Sequence, residues 1–178
     1  MCGDDFIETL KERRSVRAFE TTPVPESDVM RIIEAGVSAP SAGNRQPWRI
    51  VIVTDSSIRH SLAEAAYGQE FVAAAPVVLV VCGVPEESAA RYGDRGRNLY
   101  VFQDTAALTE NILLAAHALG YGTCWVGAFD DEEVSRVINV PDSMRPMAII
   151  PIGVPRRPLP ERRQRRPLSE VIVRQRFK

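Results

Sequence analysis

Arg13-Arg14-Ser15-Val16-Arg17-Ala18-Phe19 puts three guanidinium groups and a hydroxyl within five residues, directly after a short amphipathic stretch. Arginine presents a planar fork of donors that matches a phosphate, and it stays charged at any working pH. Such a cluster either holds a phosphorylated ligand or solvates a helix end, and a charge run taken alone is usually a solvated face. Its company decides. Downstream come Pro40-Ser41-Ala42-Gly43-Asn44-Arg45-Gln46-Pro47-Trp48, then Gly120-Tyr121-Gly122-Thr123-Cys124-Trp125-Val126-Gly127, then six arginines between Arg156 and Arg166.

At 178 residues the chain is expected to be one domain, 1–178, with an extended arm over 154–178. A hydrophobic fraction of 45% and a charged fraction of 25% are those of a soluble globular protein. The net charge of -1 gives no pull toward nucleic acid or an anionic membrane. No apolar run approaches the ~20 residues of a bilayer span, and the N-terminus does not read as a signal peptide. Cys2, Cys82 and Cys124 lie far apart, with no CxxC pair and no metal-ligand spacing. A reduced, cytoplasmic protein is the expectation.

Asp4 or Asp5 is expected to cap a first helix through about Arg13, with Phe6, Ile7 and Leu10 on one face. Pro23-Val24-Pro25 breaks the chain before a second helix over 26–37, burying Val29, Ile32, Ile33 and Ala35. Residues 40–47 are a loop, 49–54 a strand, and Ser56 or Ser57 is expected to cap a helix to about Ala66. The β-branched run 77–82 reads as a strand covered on both faces. A polar loop is predicted over 85–96, then a long buried helix over 99–119. Strands follow at 123–126 and 147–152, with a short helix from Asp130 or Asp131 between them. Beyond Gly153 the proline- and arginine-rich chain reads as an extended arm, and its β-prone end, 168–173, as a strand added to another subunit's sheet.

His60 and His117 have no second ligand at metal spacing and read as surface or helix-face residues. No GxSxG, Walker loop, HExxH or GxGxxG fingerprint occurs, so the chain shows no nucleophile-base constellation of its own. An enzyme without evident catalytic side chains borrows its reactivity from a cofactor.

The RRSVR, PSAGNRQPW and GTCWVGAF stretches, in that order and spacing, resemble the nitroreductase family of FMN-dependent oxidoreductases, over nearly the whole chain from Phe6 to Val173. The resemblance implies an α+β fold, a mixed sheet flanked by helices, in a homodimer whose C-terminal arms are exchanged between subunits. By the same resemblance, Arg13, Arg14, Ser15 and Arg17 match the segment that holds the FMN phosphate and ribityl chain. Arg163 and Arg165 match a second phosphate contact, although which arginines of 162–166 reach it stays open. The loop bearing Pro40, Ser41, Ala42 and Asn44 would meet the flavin of the other subunit, and Asn44 both donates and accepts, as the pyrimidine edge requires. Gln69 is a further candidate for a ribityl or ring contact, set against an ordinary solvated loop residue. Trp125, Val126 and Gly127 would lie along the ring, where a backbone N–H stabilises its anionic reduced form. Trp48 reads as a core plug and Cys124 as packing. Where longer bacterial members carry an acidic residue, this chain has Gly127.

The function implied is NAD(P)H-dependent reduction of an electron-poor acceptor, such as a nitroaromatic or quinone, by ping-pong hydride transfer through FMN. Dehalogenation, azoline oxidation or flavin breakdown on the same fold are the nearest alternatives. A non-enzymatic anion- or nucleic-acid-binding module is the other, and near-zero net charge and the absence of aromatics among the arginines speak against it.

Overall fold

Val77–Gly83 is buried at every position, and the chain is layered on its two faces. The computed structural model describes residues 3–177. This strand, β2, pairs antiparallel with β1 (Trp48–Val53) on one side and β4 (Arg145–Gly153) on the other. A short β3 (Gly122–Thr123) completes the order β1-β2-β4-β3, also antiparallel. Val80 lies opposite Val51 in β1 and Ile149 in β4, so β-branched side chains meet across the sheet. The parallel component is the bridge from Ser15 to Thr123, through which the arginine segment joins the sheet.

The period of two along β2 divides the core. Val78, Val80 and Cys82 face Leu62, Val72 and Val134, contributed by α3 (Ser56–Ala65), α4 (Phe71–Ala74) and α7 (Asp131–Val137). Val77, Leu79 and Val81 face Val29 and Ile32 of α2 (Glu26–Val37) and Leu108, Ile112 and Leu113 of α6 (Val101–Ala118). Each such side chain contributes about 1.5–3 kcal/mol by leaving water, which makes α6 the main anchor of its face. Trp48 plugs this second core, as expected.

The structure departs from the sequence reading at several ends. α1 (Gly3–Glu12) already contains Asp4 and Asp5, so neither caps it, and its cap lies outside the described residues. Its Phe6, Ile7 and Leu10 share no core: they are 50%, 46% and 39% exposed. Ala35 is exposed, and Gly36 is the residue of α2 buried there. Asp55, not a serine, caps α3. The predicted polar loop is a helix, α5 (Pro85–Arg95), followed by a wider π-type turn, Gly96–Tyr100, that feeds α6. Thr123 alone of 123–126 lies in a strand, while Val126 makes a separate bridge to Ile149. The arm is irregular until α8 (Leu168–Val171), a helical turn in place of the β-prone segment. Cys2 lies outside the described residues, and Cys82 and Cys124 are free and buried.

Candidate cofactor site

The arginine segment owes its course to two apolar residues. Val16 and Phe19 are buried, at 5% and 4% exposure, and this leaves Arg13, Arg14, Ser15 and Arg17 toward the outside. Val16 N–H donates to the Thr123 carbonyl at 2.8 Å, and Glu20 N–H to that of Val154 at 2.8 Å. From the arm, Arg156 N–H donates to the Ala18 carbonyl at 2.9 Å. The segment is thus laced between β3 and the start of the arm, and both ends of the chain's basic sequence meet there.

They enclose a cavity of about 240 Å³. Arg13, Arg14, Ser15 and Arg17 line it from the N-terminal side, and Arg162, Arg163 and Arg165 from the arm, with Glu161 beside them. Arg13 Nε stands 3.5 Å from Glu110 of α6, and Arg14 donates to the Pro160 carbonyl at 3.0 Å. The Arg17 guanidinium lies over the Phe71 ring, 5.6 Å from its centroid. Six guanidinium groups around one carboxylate repel one another, and an anion with several acceptor oxygens relieves that repulsion. A phosphate monoester fits the donor set. Arg162 joins the predicted Arg163 and Arg165.

Trp125–Gly127 lies on the sheet's β4 side. Val126 exchanges both backbone hydrogen bonds with Ile149, at 2.9 and 3.0 Å, which holds the turn rigidly. Trp125 and Gly127 remain exposed, and the nearest atom to a side chain added at Gly127 would be Trp125 Nε1, 3.8 Å away. The backbone is therefore open to a flat ligand. Gln69 is not a solvated loop residue: its amide donates to the Ala66 carbonyl at 2.9 Å and to Ala128 at 3.1 Å, tying α3 to this turn.

Pro40, Ser41, Ala42 and Asn44 do not line the arginine cavity. Their loop sits at the start of α6, where Ala42 N–H donates to Asp104 Oδ1 at 3.0 Å. Ser41 Oγ accepts from Gln46 N–H at 3.0 Å. One copy of the chain therefore does not unite this loop with the phosphate end. Burial pushes the Asp104 carboxyl above the usual carboxylate range, and the bond from Ala42 pulls the other way. Nothing at the level of motif marks Asp104, although Gln103-Asp104-Thr105 is a polar interruption in a helix otherwise apolar over most of its girth.

Other titratable groups stay structural. Burial pushes the Cys124 thiol up against the opposing pull of Arg17 and Ser15, and pushes Cys82 up to about 11, so both are inert packing thiols. His117 is held below its ordinary value by burial, and His60 Nδ1 lies 2.6 Å from the Ser56 carbonyl. Among the described residues no group of His, Cys, Asp or Glu could hold a metal ion. A larger open hollow of about 710 Å³ between α7 and β4 contains none of the predicted site residues, and its Arg145 and Asp131 pair with each other at 2.8 Å.

Known proteins share this fold. The model of the family described as "Nitroreductase family" matches residues 10–70 and 61–154. The chain belongs to the nitroreductase family. A putative NADH dehydrogenase/NAD(P)H nitroreductase of Archaeoglobus fulgidus is 31% identical over 157 residues, covering 86% of this chain and 87% of the relative. An NADPH-flavin oxidoreductase of Vibrio harveyi is 30% identical over 176 residues, covering 95% of this chain and 73% of its own length. The solved structure of the Vibrio harveyi NADPH:FMN oxidoreductase complexed with NAD+ superposes with a TM-score of 0.89 at 29% identity. That match spans 98% of this chain and 78% of the other. The nitroreductase fold therefore extends through the arm as well as the core. No helix of the described residues is long and apolar enough to cross a membrane.

Proposed function

We propose that this chain is an FMN-dependent oxidoreductase that uses NAD(P)H to reduce electron-poor acceptors such as nitroaromatics or quinones, working as a cytoplasmic homodimer. Membership of the family makes it an NAD(P)H-dependent oxidoreductase; FMN, the acceptor class and the dimer are the finer reading. The observation that carries it is the 240 Å³ cavity, where the two ends of the chain bring six arginines around one carboxylate.

Arg13, Arg17, Arg163 and Arg165 would hold the phosphate of FMN, and the Ser15 hydroxyl would bond phosphate or ribityl oxygen. A flavin held there would supply the hydride-transfer chemistry between the nicotinamide and the acceptor. Val126 already gives its N–H to Ile149, so a donor toward the ring at the open turn would come from Trp125 or Gly127. Gln69 keeps that turn in place from the α3 side. Asn44 would reach the pyrimidine edge of the partner's flavin, which accounts for a loop that stands apart from its own arginines. With one open face for both nicotinamide and acceptor, the two must alternate, and ping-pong kinetics are expected.

The test starts from colour. The purified protein should be yellow and release FMN on denaturation. Arg13→Ala and Arg17→Ala should each weaken FMN binding, by roughly 1.5–3 kcal/mol for each charge-assisted hydrogen bond lost. Unchanged retention in both variants would overturn the phosphate assignment, and a sequential kinetic pattern would overturn the shared face.

A further inference from the structure

We propose that Asp104 is a positioning residue for the turn that faces the flavin, acting through the backbone of Ala42. The inference rests on the FMN reading of the Pro40–Asn44 loop. Asp104 lies in the first turn of α6 and is 6% exposed. Its Oδ1 accepts from Ala42 N–H at 3.0 Å, while Oδ2 is buried without a partner among the described residues. A carboxylate oxygen left this way costs stability, and an apolar side chain of similar shape would be cheaper there. A group that the core does not need is kept for the bond its other oxygen makes.

What that bond holds is a strained turn. Gly43, Asn44 and Gln46 have φ of 56°, 54° and 49°, a region that residues with side chains rarely adopt. Such backbone persists only where its surroundings over-determine it. Tyr92 of α5 walls one side, and a side chain on Gly43 would begin 2.5 Å from the Tyr92 hydroxyl oxygen. Arg45 Nε donates to the Glu87 carbonyl of α5 at 2.9 Å. Asp104 supplies the hold from α6, the helix fixed in the core. Without it the Ala42 N–H loses its acceptor, and the three left-handed residues beyond lose the constraint that aims Asn44.

The experiment loads wild type, Asp104→Asn and Asp104→Leu with FMN and compares thermal stability, visible flavin spectrum, kcat and KM for NAD(P)H. Asn keeps the acceptor oxygen, whereas Leu keeps the volume alone. Leu should melt close to wild type, because removing the unpartnered oxygen offsets the stranded Ala42 N–H, yet shift the flavin bands and lower kcat by about a hundredfold, as a misplaced contact group does. Asn should restore both spectrum and kcat. If Leu fails to fold, Asp104→Ser, too short to reach Ala42, carries the same expectation. Flavin-loaded wild type beside a Leu or Ser variant of unchanged spectrum and kcat overturns this inference alone, as does an Asn variant that behaves like Leu. Wild type that takes up no FMN overturns the flavin reading, and this inference with it.

Discussion

Gly122 carries no side chain because Val16 fills the space: an added Cβ would lie 2.8 Å from the Val16 Cβ and Cγ1. Neither partner has room to retreat, since Gly122 is paired with Gly153 and Val16 is hydrogen-bonded to Thr123. Gly122→Ala should cost about 1–3 kcal/mol, the range for overpacking. It should also loosen FMN, because the displaced segment carries Arg13 and Arg17, which are proposed to hold its phosphate. A variant that melts and binds flavin like wild type would refute that coupling. Next door, the Tyr121 hydroxyl donates to Asp28 Oδ2 at 2.7 Å. Burial first, and then this bond, push Tyr121 up to about 12. Its folded value lies above the unfolded one of about 10, so its contribution is complete below pH ~10 and disappears as pH rises toward 12. Denaturant midpoints measured from pH 9 to 12 should fall less steeply in Tyr121→Phe than in wild type. Residues differ in how far sequence reveals them. Arg13, Arg14 and Arg17 stand out because the loop, turn and basic arm downstream accompany them, where the charge run alone would read as a solvated face. Asp104 does not, since a lone acid in a helix is ordinarily solvated and its burial depends on a loop 62 residues away.

At the scale of elements, chemistry at the ends decided what the periodicity left open. Pro85 opens α5 and Glu86 and Glu87 follow in its first turn, all favourable at a helix start. Polarity makes the same residues read as a loop, and in the structure Gly93, at φ 54°, interrupts the helix near its end. α2 was legible to the residue because prolines bound its start and its apolar spacing is regular. The cap of α3 lies one residue before the nearer of the two expected serines. Asp55 accepts from the N–H groups of Ser57 and Ile58 at 2.8 and 3.1 Å. Its carboxyl is held below the ordinary range, first by the Ser57 hydroxyl and then by these amides. A depressed folded value means that the cap's charge-dependent contribution is present above pH ~4 and lost as pH falls through the folded pKa. Asp55→Asn retains a capping oxygen without the charge. Its thermal midpoint should therefore fall less between pH 5 and pH 2 than that of wild type, and parallel curves for the two proteins would contradict this account.

For the whole molecule, the exposed apolar surface is the informative quantity. Besides Phe6, Ile7 and Leu10 on α1, the arm exposes Leu168, Val171, Ile172 and Val173 at 71%, 59%, 54% and 52%. Residues of this kind grouped at both chain ends mark surfaces that associate. β1 stands at one end of the sheet order, with Ile52 44% exposed, beside a groove of about 270 Å³ formed with Ile58, Val137 and Ile138. An unprotected strand edge beside an apolar groove is a natural seat for an added segment. The apolar end of the arm is legible in the sequence, whereas the free edge of β1 is not, because an edge exists only once strand order is set. Sedimentation should show a dimer for the full chain. Deleting residues 168–178 should shift it toward monomer while leaving Arg163 and Arg165 in the chain. Ile172→Asp with Val173→Asp should do the same without shortening it. Since Asn44 is read as serving the partner's flavin, both changes should lower FMN affinity and kcat together. Variants that remain dimeric at the same concentration, with flavin bound as in wild type, would show that the arm is not what joins the two subunits.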